Sequence, residues 1–414
     1  MIKIYKEEYD RIKELLNSPK YRGRSLPWLV IIIITRVLKP FWPFSRPLRI
    51  LHFKYRQKLL LDRSIQVNKS SKTQENVLRV CITYQCNTNC FFCYAYCPRQ
   101  EFKEHMTVED FEFIIGWAKS NGYNSFRLLG GEATIHPELK AIMNIVRKNG
   151  LRVSLSSNGL FSEGVSSLLS TDVIESVNFS YPQSDTTIEK KYIFIKNLKE
   201  TINKGIPVLI SWIMDFNEDN WKEVVDFAVE YRGRVALRFS MVLPGNKKDV
   251  TSEELHLNLR KIAKQTLDIA EYTSKNYIVF FFYRPLLLCM FKKDELDYLN
   301  SISPFIFDTQ CTCSSLGERY SNMLTVNPDL TCYPCPVVHI KGIKIGPGTS
   351  RKDINDCFLK PVTHLCKEPM MDSCKMCEYF SNYSTQEDGD YYDLSDSNVC
   401  QGGCLLYRTP KSES

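Results

Sequence analysis

Sixteen cysteines in a chain of 414 residues constrain this protein more than any other feature, because most of them fall in two short stretches. Four lie between residues 86 and 97, and ten lie between residues 311 and 404. The chain begins Met-Ile-Lys-Ile, without the apolar stretch of a secretion signal, so we expect reduced thiols in a cytoplasmic setting. Clustered reduced thiols at such spacings indicate metal or iron–sulfur ligands.

Basic charge is confined to the start of the chain. Residues 1–75 carry 17 Lys or Arg against 6 Asp or Glu, whereas residues 76–414 carry 37 against 41. An apolar run at 26–34, flanked by aromatic and basic residues, is too short to cross a bilayer. It either lies on an anionic membrane surface at the inner face of the membrane or packs on the rest of the protein.

From residue 76 onward, predicted strands and helices alternate at about 25 to 30 residues per unit. Thr107, with Asp110 three residues later, is typical of a helix start. Such repeats predict a parallel α/β fold, a partial (β/α)6 TIM-like barrel with its functional residues at the carboxyl ends of the strands. The predicted strands are 77–83, 126–129, 151–155, 176–180, 208–213 and 235–240.

The pattern predicts three parts of the chain. A basic N-terminal extension covers 1–75, a barrel domain covers 76–290, and a small cysteine-rich α+β domain covers 291–414. The last part lacks the apolar periodicity of an independent core, so we expect metal clusters to hold it together.

The first cysteine cluster is a CxxxCxxC motif, Cys86, Cys90 and Cys93, in the loop after the first predicted strand. Three thiolates can bind three irons of a [4Fe-4S] cube and leave the fourth iron open. An aromatic residue, Phe92, precedes the third cysteine, and Gly-Gly-Glu at 130–132 ends the second predicted strand.

These motifs together resemble the radical S-adenosylmethionine (radical SAM) superfamily. The resemblance implies that SAM binds the open iron and that the reduced cluster splits it into methionine and a 5′-deoxyadenosyl radical, which abstracts hydrogen from a substrate. It also implies a flavodoxin- or ferredoxin-type electron donor. Phe92 would lie near the adenine of SAM, and Glu132 would accept hydrogen bonds from its amino group. Ser157 and Asn158 would contact the ribose or the carboxylate of SAM, and Ser180 lies at the next strand end. The SAM-binding residues implied in this way are Phe92, Gly130, Gly131, Glu132, Ser157, Asn158 and Ser180.

A zinc knuckle with Cys97 as the fourth ligand is the alternative for the first cluster. It would explain neither the Gly-Gly-Glu motif nor the alternating strands and helices. With an iron–sulfur cluster, Cys97 and Cys81 become bystanders. His136 is expected to be a helix-start residue rather than a base.

The second group of cysteines resembles the SPASM or twitch-like domain of many radical SAM enzymes, which holds one or two auxiliary [4Fe-4S] clusters. Leu330 departs from the family, which usually has Gly there, and no cysteine follows Cys404. The missing ligands are expected to be Cys311 or Cys332 in one cluster and Cys357 or Cys366 in the other. Cys289, in an apolar stretch, is expected to lie in the core. The auxiliary ligands implied by the resemblance are Cys313, Cys335, Cys374, Cys377, Cys400 and Cys404.

The resemblance favours a radical SAM enzyme that modifies a peptide or protein side chain. A dehydrogenase or carbon–carbon bond-forming enzyme acting on a small molecule, sugar or lipid is the alternative among enzymes. A non-catalytic iron–sulfur or zinc scaffold that binds nucleic acid through the basic extension is the alternative of another class. That extension shows no stacking platform, so we expect no nucleic-acid partner. The sequence identifies no catalytic acid or base.

Overall fold

The computed structural model describes residues 76–90, 92–182, 186–215, 220–242, 257–282, 286–302, 324–367, 380–382 and 398–400. The basic extension, with its predicted membrane-surface segment, lies outside these ranges. Within them, no helix is both long and apolar enough to span a bilayer.

One mostly parallel sheet dominates the described part of the chain. Its spatial order is β7-β6-β5-β4-β3-β2-β1-β8-β9. Neighbours from β7 to β8 are parallel, and β9 runs antiparallel to β8. A separate antiparallel pair joins β10 to β11. The strands are β1 (Val77–Thr83), β2 (Ser125–Gly130), β3 (Val153–Ser157), β4 (Ile174–Ser180), β5 (Val208–Met214), β6 (Val235–Met241), β7 (Phe280–Phe282), β8 (Thr325–Val326), β9 (Cys332–Tyr333), β10 (Phe380–Asn382) and β11 (Asn398–Cys400).

Helices connect successive parallel strands, as the predicted βα repeats require. A short 3-10 turn, Ala133–Ile135, follows β2, and another, Leu288–Met290, follows β7. The α-helices are α1 (Tyr96–Glu101), α2 (Val108–Ser120), α3 (Leu139–Lys148), α4 (Glu163–Leu168), α5 (Ile188–Asn203), α6 (Trp221–Glu230), α7 (Leu259–Lys275), α8 (Lys293–Ile302) and α9 (Arg351–Lys367).

The main hydrophobic core lies between one face of the sheet and the helices. Leu78, Val80 and Ile82 of β1 belong to the same buried cluster as Phe111 and Ile114 of α2. Burial alternates along β2 and β3, so the intervening residues line the opposite face of the sheet. Because parallel strands all end at the same edge, the loops after β1, β2, β3 and β4 lie side by side.

The predicted fold class is confirmed. The six predicted strands correspond to β1–β6, with ends that differ by at most two residues. Thr107 caps α2 as expected, since its Oγ1 accepts a hydrogen bond of 3.0 Å from the Asp110 amide. The parallel sheet continues for one further strand, β7, which pairs with β6. Its three consecutive phenylalanines show no polar alternation, so the sequence pattern did not reveal it.

The C-terminal part of the chain joins the barrel sheet at the free edge of β1. Thr325 of β8 pairs with Arg79 of β1, and the Tyr84 hydroxyl donates to Asn327 Oδ1 at 2.8 Å. Farther along, the Trp117 indole N–H donates to the Thr349 carbonyl at 2.8 Å. The hairpin β8–β9 is therefore a sheet neighbour of the strand that precedes the first cysteines. The division at residue 290 stays a prediction.

Candidate functional site

The first cysteines lie in a loop, residues 84–93, that leaves the carboxyl end of β1. Cys86, Cys90 and Cys93 are all partly exposed. Burial raises the pKa of the Cys93 thiol, and the Ala95 amide and the Arg99 guanidinium partly offset that rise. None of the three cysteines is fully buried, and the surroundings of Cys93 perturb its thiol.

The Gly-Gly-Glu motif at residues 130–132 forms backbone hydrogen bonds with the start of this loop. The Gly131 amide donates to the Thr83 carbonyl at 2.9 Å, and the Glu132 amide donates to the Gln85 carbonyl at 2.8 Å. A Cβ at Gly130 would lie 1.9 Å from the Thr83 oxygen, and one at Gly131 would lie 2.3 Å from the Gln85 oxygen. The glycines thus allow the backbone to approach the root of the cysteine loop, and their predicted contact with SAM stays a prediction.

Glu132 is buried, with 1% of its surface exposed. One carboxylate oxygen accepts hydrogen bonds from the Thr134 amide and hydroxyl at 3.1 and 2.5 Å, and the other accepts from the Asn158 amide at 2.6 Å. Burial raises the pKa of this carboxyl, and these hydrogen bonds partly offset the rise. Three of about four lone-pair positions are thus filled by the protein, so Glu132 mainly joins the end of β2 to the end of β3. Its contact with a SAM amino group stays a prediction.

The end of β3 reaches back to the cysteine loop through Asn158. Its Nδ2 donates to Asn87 Oδ1 at 2.6 Å and also lies 3.4 Å from Thr88 Oγ1. Ser157 is buried, and its Oγ accepts from the Gly159 amide at 2.9 Å. The structure therefore brings Glu132, Ser157 and Asn158 together beside the cysteines.

Two other residues predicted to contact SAM, Phe92 and Ser180, have different surroundings. Phe92 is partly buried against the main hydrophobic core, within the cysteine loop. Ser180 is exposed at the end of β4, where its register neighbour on β5 is Ser211. Among the described residues, Ser180 forms no hydrogen bond with the other predicted site residues. Their contacts with SAM stay predictions.

The predicted bystanders near this site make structural contacts. The Glu138 amide donates to His136 Nδ1 at 3.1 Å, so Nε2 carries the proton and donates to the Met106 carbonyl at 2.9 Å. Burial lowers the pKa of this histidine. Cys81 is buried and Cys97 is exposed. His136 thus holds the start of α3, in agreement with its expected role.

The expectation for Cys289 was wrong. Its side chain is exposed on the short 3-10 turn Leu288–Met290. The neighbouring Leu287 and Met290 are the residues that are buried. In one helical turn only part of an apolar stretch can face the core, and hydrophobicity alone does not tell which part.

The second group of cysteines is described only in part. Cys332 is fully buried, and its thiol donates to the Ile343 carbonyl at 3.2 Å. Burial raises its pKa to about 12, and the nearby Cys357 adds to the rise. Cys335 and Cys357 are partly exposed. Cys332 is therefore a core thiol in this structure, whereas the sequence kept it as a possible fourth ligand.

The remaining auxiliary cysteines cannot be compared in the same way. Cys400 lies on β11, opposite Phe380 of β10. Leu330, which replaces the usual Gly, has a φ of 68° and so adopts the left-handed conformation that favours glycine. Outside the residues or side chains that the structure describes lie Cys311, Cys313, Cys366, Cys374, Cys377 and Cys404.

The first three cysteines do not form a site for a single metal ion in the described part of the chain. Within the described ranges, no three Cys, His, Asp or Glu side chains converge on one point as a lone metal ion would require. A [4Fe-4S] cube binds each cysteine to a different iron, so its thiols surround a volume. Thr88 Oγ1 lies 3.2 Å from Cys86 Sγ and 3.7 Å from Cys90 Sγ, and Cys93 interacts electrostatically with Cys86. Thr88 thus contacts two of the three sulfurs, and the third cysteine lies near the first.

Sequence reasoning missed three residues of this site: Asn87, Thr88 and Arg99. Arg99 of α1 donates to the Thr88 carbonyl at 3.3 Å, and the Asn87 amide group donates to the Leu160 carbonyl at 3.1 Å. The polar residues between Cys86 and Cys90 were a visible signal, because Asn and Thr side chains commonly bond to nearby backbone. The partners of Asn87 and Thr88 in the segment after β3, Leu160 and Asn158, lie 73 and 70 residues away and could not be read from the motif.

Comparison with known proteins gives a family for this part of the chain. The model of the Radical SAM superfamily matches residues 80–249. The Probable GTP 3',8-cyclase of Methanothermobacter thermautotrophicus is 27% identical over 208 residues, 47% of this chain and 67% of that protein. The protein of the same name from Metallosphaera sedula is 25% identical over 163 residues, 37% of this chain and 51% of that protein. The chain thus spans about half to two thirds of the length of these relatives.

Solved structures share the fold over more of the chain. Streptococcus suis SuiB bound to precursor peptide SuiA has a TM-score of 0.52 and 16% identity, covering 88% of this chain and 78% of SuiB. Native anSMEcpe with bound AdoMet has a TM-score of 0.54 and 18% identity, covering 82% of this chain and 92% of that chain. At these identities the likeness concerns the fold. Sequence match and fold agree with the motifs, and residues 80–249 of this chain match the Radical SAM superfamily of enzymes.

Proposed function

We propose that Cys86, Cys90 and Cys93 hold a [4Fe-4S] cluster that binds SAM, and that the enzyme directs the resulting radical at a peptide or protein side chain. The observation that carries the first part is the set of three partly exposed cysteines, two of them in contact with Thr88, in the loop at the carboxyl end of β1. When bound, the cluster supplies the electron that cleaves SAM.

The chain's own residues position and shield this chemistry. Gly130 and Gly131 hold the root of the cysteine loop against β2, and Glu132 joins β2 to β3. Beside them, the face of the sheet opposite the helices carries hydroxyl and amide side chains on β3 and β4, including Ser156 and Asn178. Such groups can bond to the amides of a peptide and orient one C–H bond.

Support for a peptide substrate comes from the extent of the structural likeness. The match to SuiB bound to SuiA covers 88% of this chain, and anSMEcpe with bound AdoMet and Kp18Cys peptide matches over 82%. Sequence relatives named as GTP 3',8-cyclases match over 36 to 68% of the chain. Fold likeness is an analogy, and it favours a peptide without identifying one.

A small-molecule substrate is the second candidate, favoured by a specific observation. The curated relatives with 25 to 27% identity are named as GTP 3',8-cyclases. Mass spectrometry of the host with and without the gene separates the two candidates. A mass change confined to a peptide supports the proposal, and one confined to small metabolites contradicts it.

The cleavage chemistry has its own experiment. After anaerobic reconstitution, the enzyme with dithionite and SAM is expected to release 5′-deoxyadenosine. Cys86→Ala is the matched loss-of-ligand variant, and Cys97→Ala is the control because Cys97 is exposed on α1. Release that persists in Cys86→Ala would contradict the assignment of the ligands.

We also propose auxiliary clusters in the C-terminal part. Partly exposed Cys335, just after β9, supports a ligand there. The other ligands in this proposal are Cys313, Cys374, Cys377, Cys400 and Cys404. Iron analysis tests it, because one cluster requires about four irons per chain and three require about twelve. A count of about four would contradict it.

Two partners stay predictions. A flavodoxin- or ferredoxin-type protein would deliver the electron in the cell, and replacing dithionite by reduced flavodoxin tests that role. Residues 1–75 would bind anionic vesicles in a salt-sensitive way, and flotation of the full chain with such vesicles tests that role. Absence of binding at low salt would favour packing of this segment on the protein.

A further inference from the structure

A chain of hydrogen bonds connects the Gly-Gly-Glu motif to the cysteine sulfurs through Asn158 and Thr88. Glu132 accepts from the Asn158 amide at 2.6 Å. The Asn158 side chain then faces the cysteine loop, where Thr88 lies between Cys86 and Cys90 in sequence. Neither Thr88 nor this role of Asn158 follows from the sequence motif.

The orientation of the Asn158 side chain is fixed by its partners. Its Oδ1 accepts from the Leu160 amide at 2.9 Å, so the NH2 group must point the other way. One N–H bonds to Asn87 Oδ1 at 2.6 Å. The other faces Thr88 Oγ1 at 3.4 Å, with Cys86 Sγ at 3.9 Å.

The direction of the Thr88 hydroxyl follows. An amide NH2 can only donate, so Thr88 Oγ1 accepts from Asn158 and keeps its own hydrogen for another acceptor. Cys86 Sγ, at 3.2 Å, is the acceptor within reach, whereas the Cys90 thiol donates to Thr88 Oγ1 at 3.7 Å in this structure. A thiolate sulfur bound to iron only accepts, so the hydroxyl would donate to Cys86.

Such a donor has an electrochemical consequence. Reduction adds negative charge to an iron–sulfur cluster, and hydrogen bonds to its sulfurs stabilise that charge and change its reduction potential. We propose that Thr88, held by Asn158, is a positioning residue that raises the reduction potential of the cluster bound by Cys86, Cys90 and Cys93. This inference rests on the proposed function of those three cysteines.

The experiment is a redox titration of the reconstituted enzyme followed by electron paramagnetic resonance. The spectral change on adding SAM identifies this cluster, because only a cluster with an open iron binds SAM. Thr88→Val keeps the shape of the side chain and removes the hydroxyl. We expect about a tenfold smaller equilibrium constant for reduction, which is a lower potential by about 59 mV for one electron.

Two further variants separate tuning from packing. Thr88→Ser keeps the donor and is expected to restore the wild-type potential. Asn158→Ala removes the donor that orients Thr88 and is expected to shift the potential in the same direction as Thr88→Val, by a smaller amount. If Thr88→Val does not retain its iron, Thr88→Ala takes its place in the titration.

The outcomes distinguish this inference from the proposed function. A wild-type potential in a valine or alanine variant with full iron content overturns the inference and leaves the cluster assignment intact. A lowered potential that serine does not restore also overturns it. A wild-type protein that binds no SAM-responsive cluster overturns the proposed function, and with it the basis of the inference.

Discussion

The two cysteine-bearing turns of the sheet differ in the burial and hydrogen bonding of their thiols. In the loop after β1, Cys90 and Cys93 are partly exposed, and hydroxyl and amide groups face the neighbouring sulfurs. In the β8–β9 hairpin, Cys332 has the same spacing to Cys335, yet Cys332 is fully buried and donates to the Ile343 carbonyl. A CxxC spacing therefore indicates a candidate metal ligand. Burial decides whether the thiol can lose its proton and bind a metal.

The largest expected difference between the two turns is in iron binding. Cys90→Ala should lose the SAM-responsive cluster, about four irons per chain, and release 5′-deoxyadenosine only at the background rate. Cys332→Ala should keep the wild-type iron content, because its thiol already bonds within the core. Iron analysis and product chromatography check both variants. Equal iron loss in the two variants would contradict this difference in iron binding between the turns.

Backbone packing under the first loop predicts the next largest effect. Gly131→Ala would place a Cβ 2.3 Å from the Gln85 carbonyl oxygen and 2.4 Å from that of Tyr84. Backbone atoms cannot move aside as the end of a side chain can. We therefore expect Gly131→Ala to lower the free energy of unfolding by about 3 kcal/mol or more.

The matched control is Gly116→Ala, in α2, where no atom lies within 4 Å of the added Cβ. It should stabilise the protein by about 0.5–1 kcal/mol. Urea unfolding of both variants measures the difference. A mild effect of Gly131→Ala would contradict the close approach of β2 to the cysteine loop.

A smaller packing effect is expected at the second turn. In Gly342→Ala, the Cβ would lie 2.5 Å from Phe358 Cζ and 2.9 Å from Cys332 Sγ. These are side chains that can partly adjust, so we expect a loss of about 1–3 kcal/mol. Combining it with Cys332→Ala should cost less than the sum of the single changes by at least about 0.5 kcal/mol. Strict additivity in urea unfolding would argue against this contact.

The buried thiol also predicts a dependence on pH. Since burial raises the Cys332 pKa from 9.0 to about 12, the unfolded chain releases this proton at a lower pH than the native protein. The contribution of the group to stability is complete below pH 9.0 and is lost as pH rises toward 12. The slope is at most about 1.4 kcal/mol per pH unit. The free energy of unfolding of Cys332→Ala, measured with urea, should fall less steeply between about pH 8 and 10 than that of the wild type. Identical pH dependences of the two proteins would contradict the raised pKa.

The smallest predicted effect concerns Leu330, between β8 and β9. It is buried, with 7% exposed, and has a φ of 68°. Leu330→Gly and Leu330→Ala both lose its apolar contacts, but only glycine relieves the left-handed conformation. We expect the glycine variant to be more stable than the alanine variant by about 1 kcal/mol. The reverse order of their unfolding midpoints would contradict the backbone geometry.

The sequence predicted β1–β6 well because buried strands and amphipathic helices leave local periodicities. It missed β7, which is three phenylalanines long, and the pairing of β8 with β1, which joins residues some 246 positions apart. It misplaced Cys289, because an apolar stretch does not specify which residue of a turn faces the core. These misses depend on pairing and packing between distant segments.

The sequence by itself determined which family part of the chain resembles, because three thiols at CxxxCxxC spacing and a Gly-Gly-Glu motif are local patterns. Only the tertiary structure decided what those residues touch. It showed that the glycines make room for the cysteine loop and that Asn158 donates to Thr88, whose hydroxyl lies 3.2 Å from Cys86 Sγ. It also showed that Cys332 is a core thiol. Burial and hydrogen-bond direction arise from segments that meet only in the folded chain.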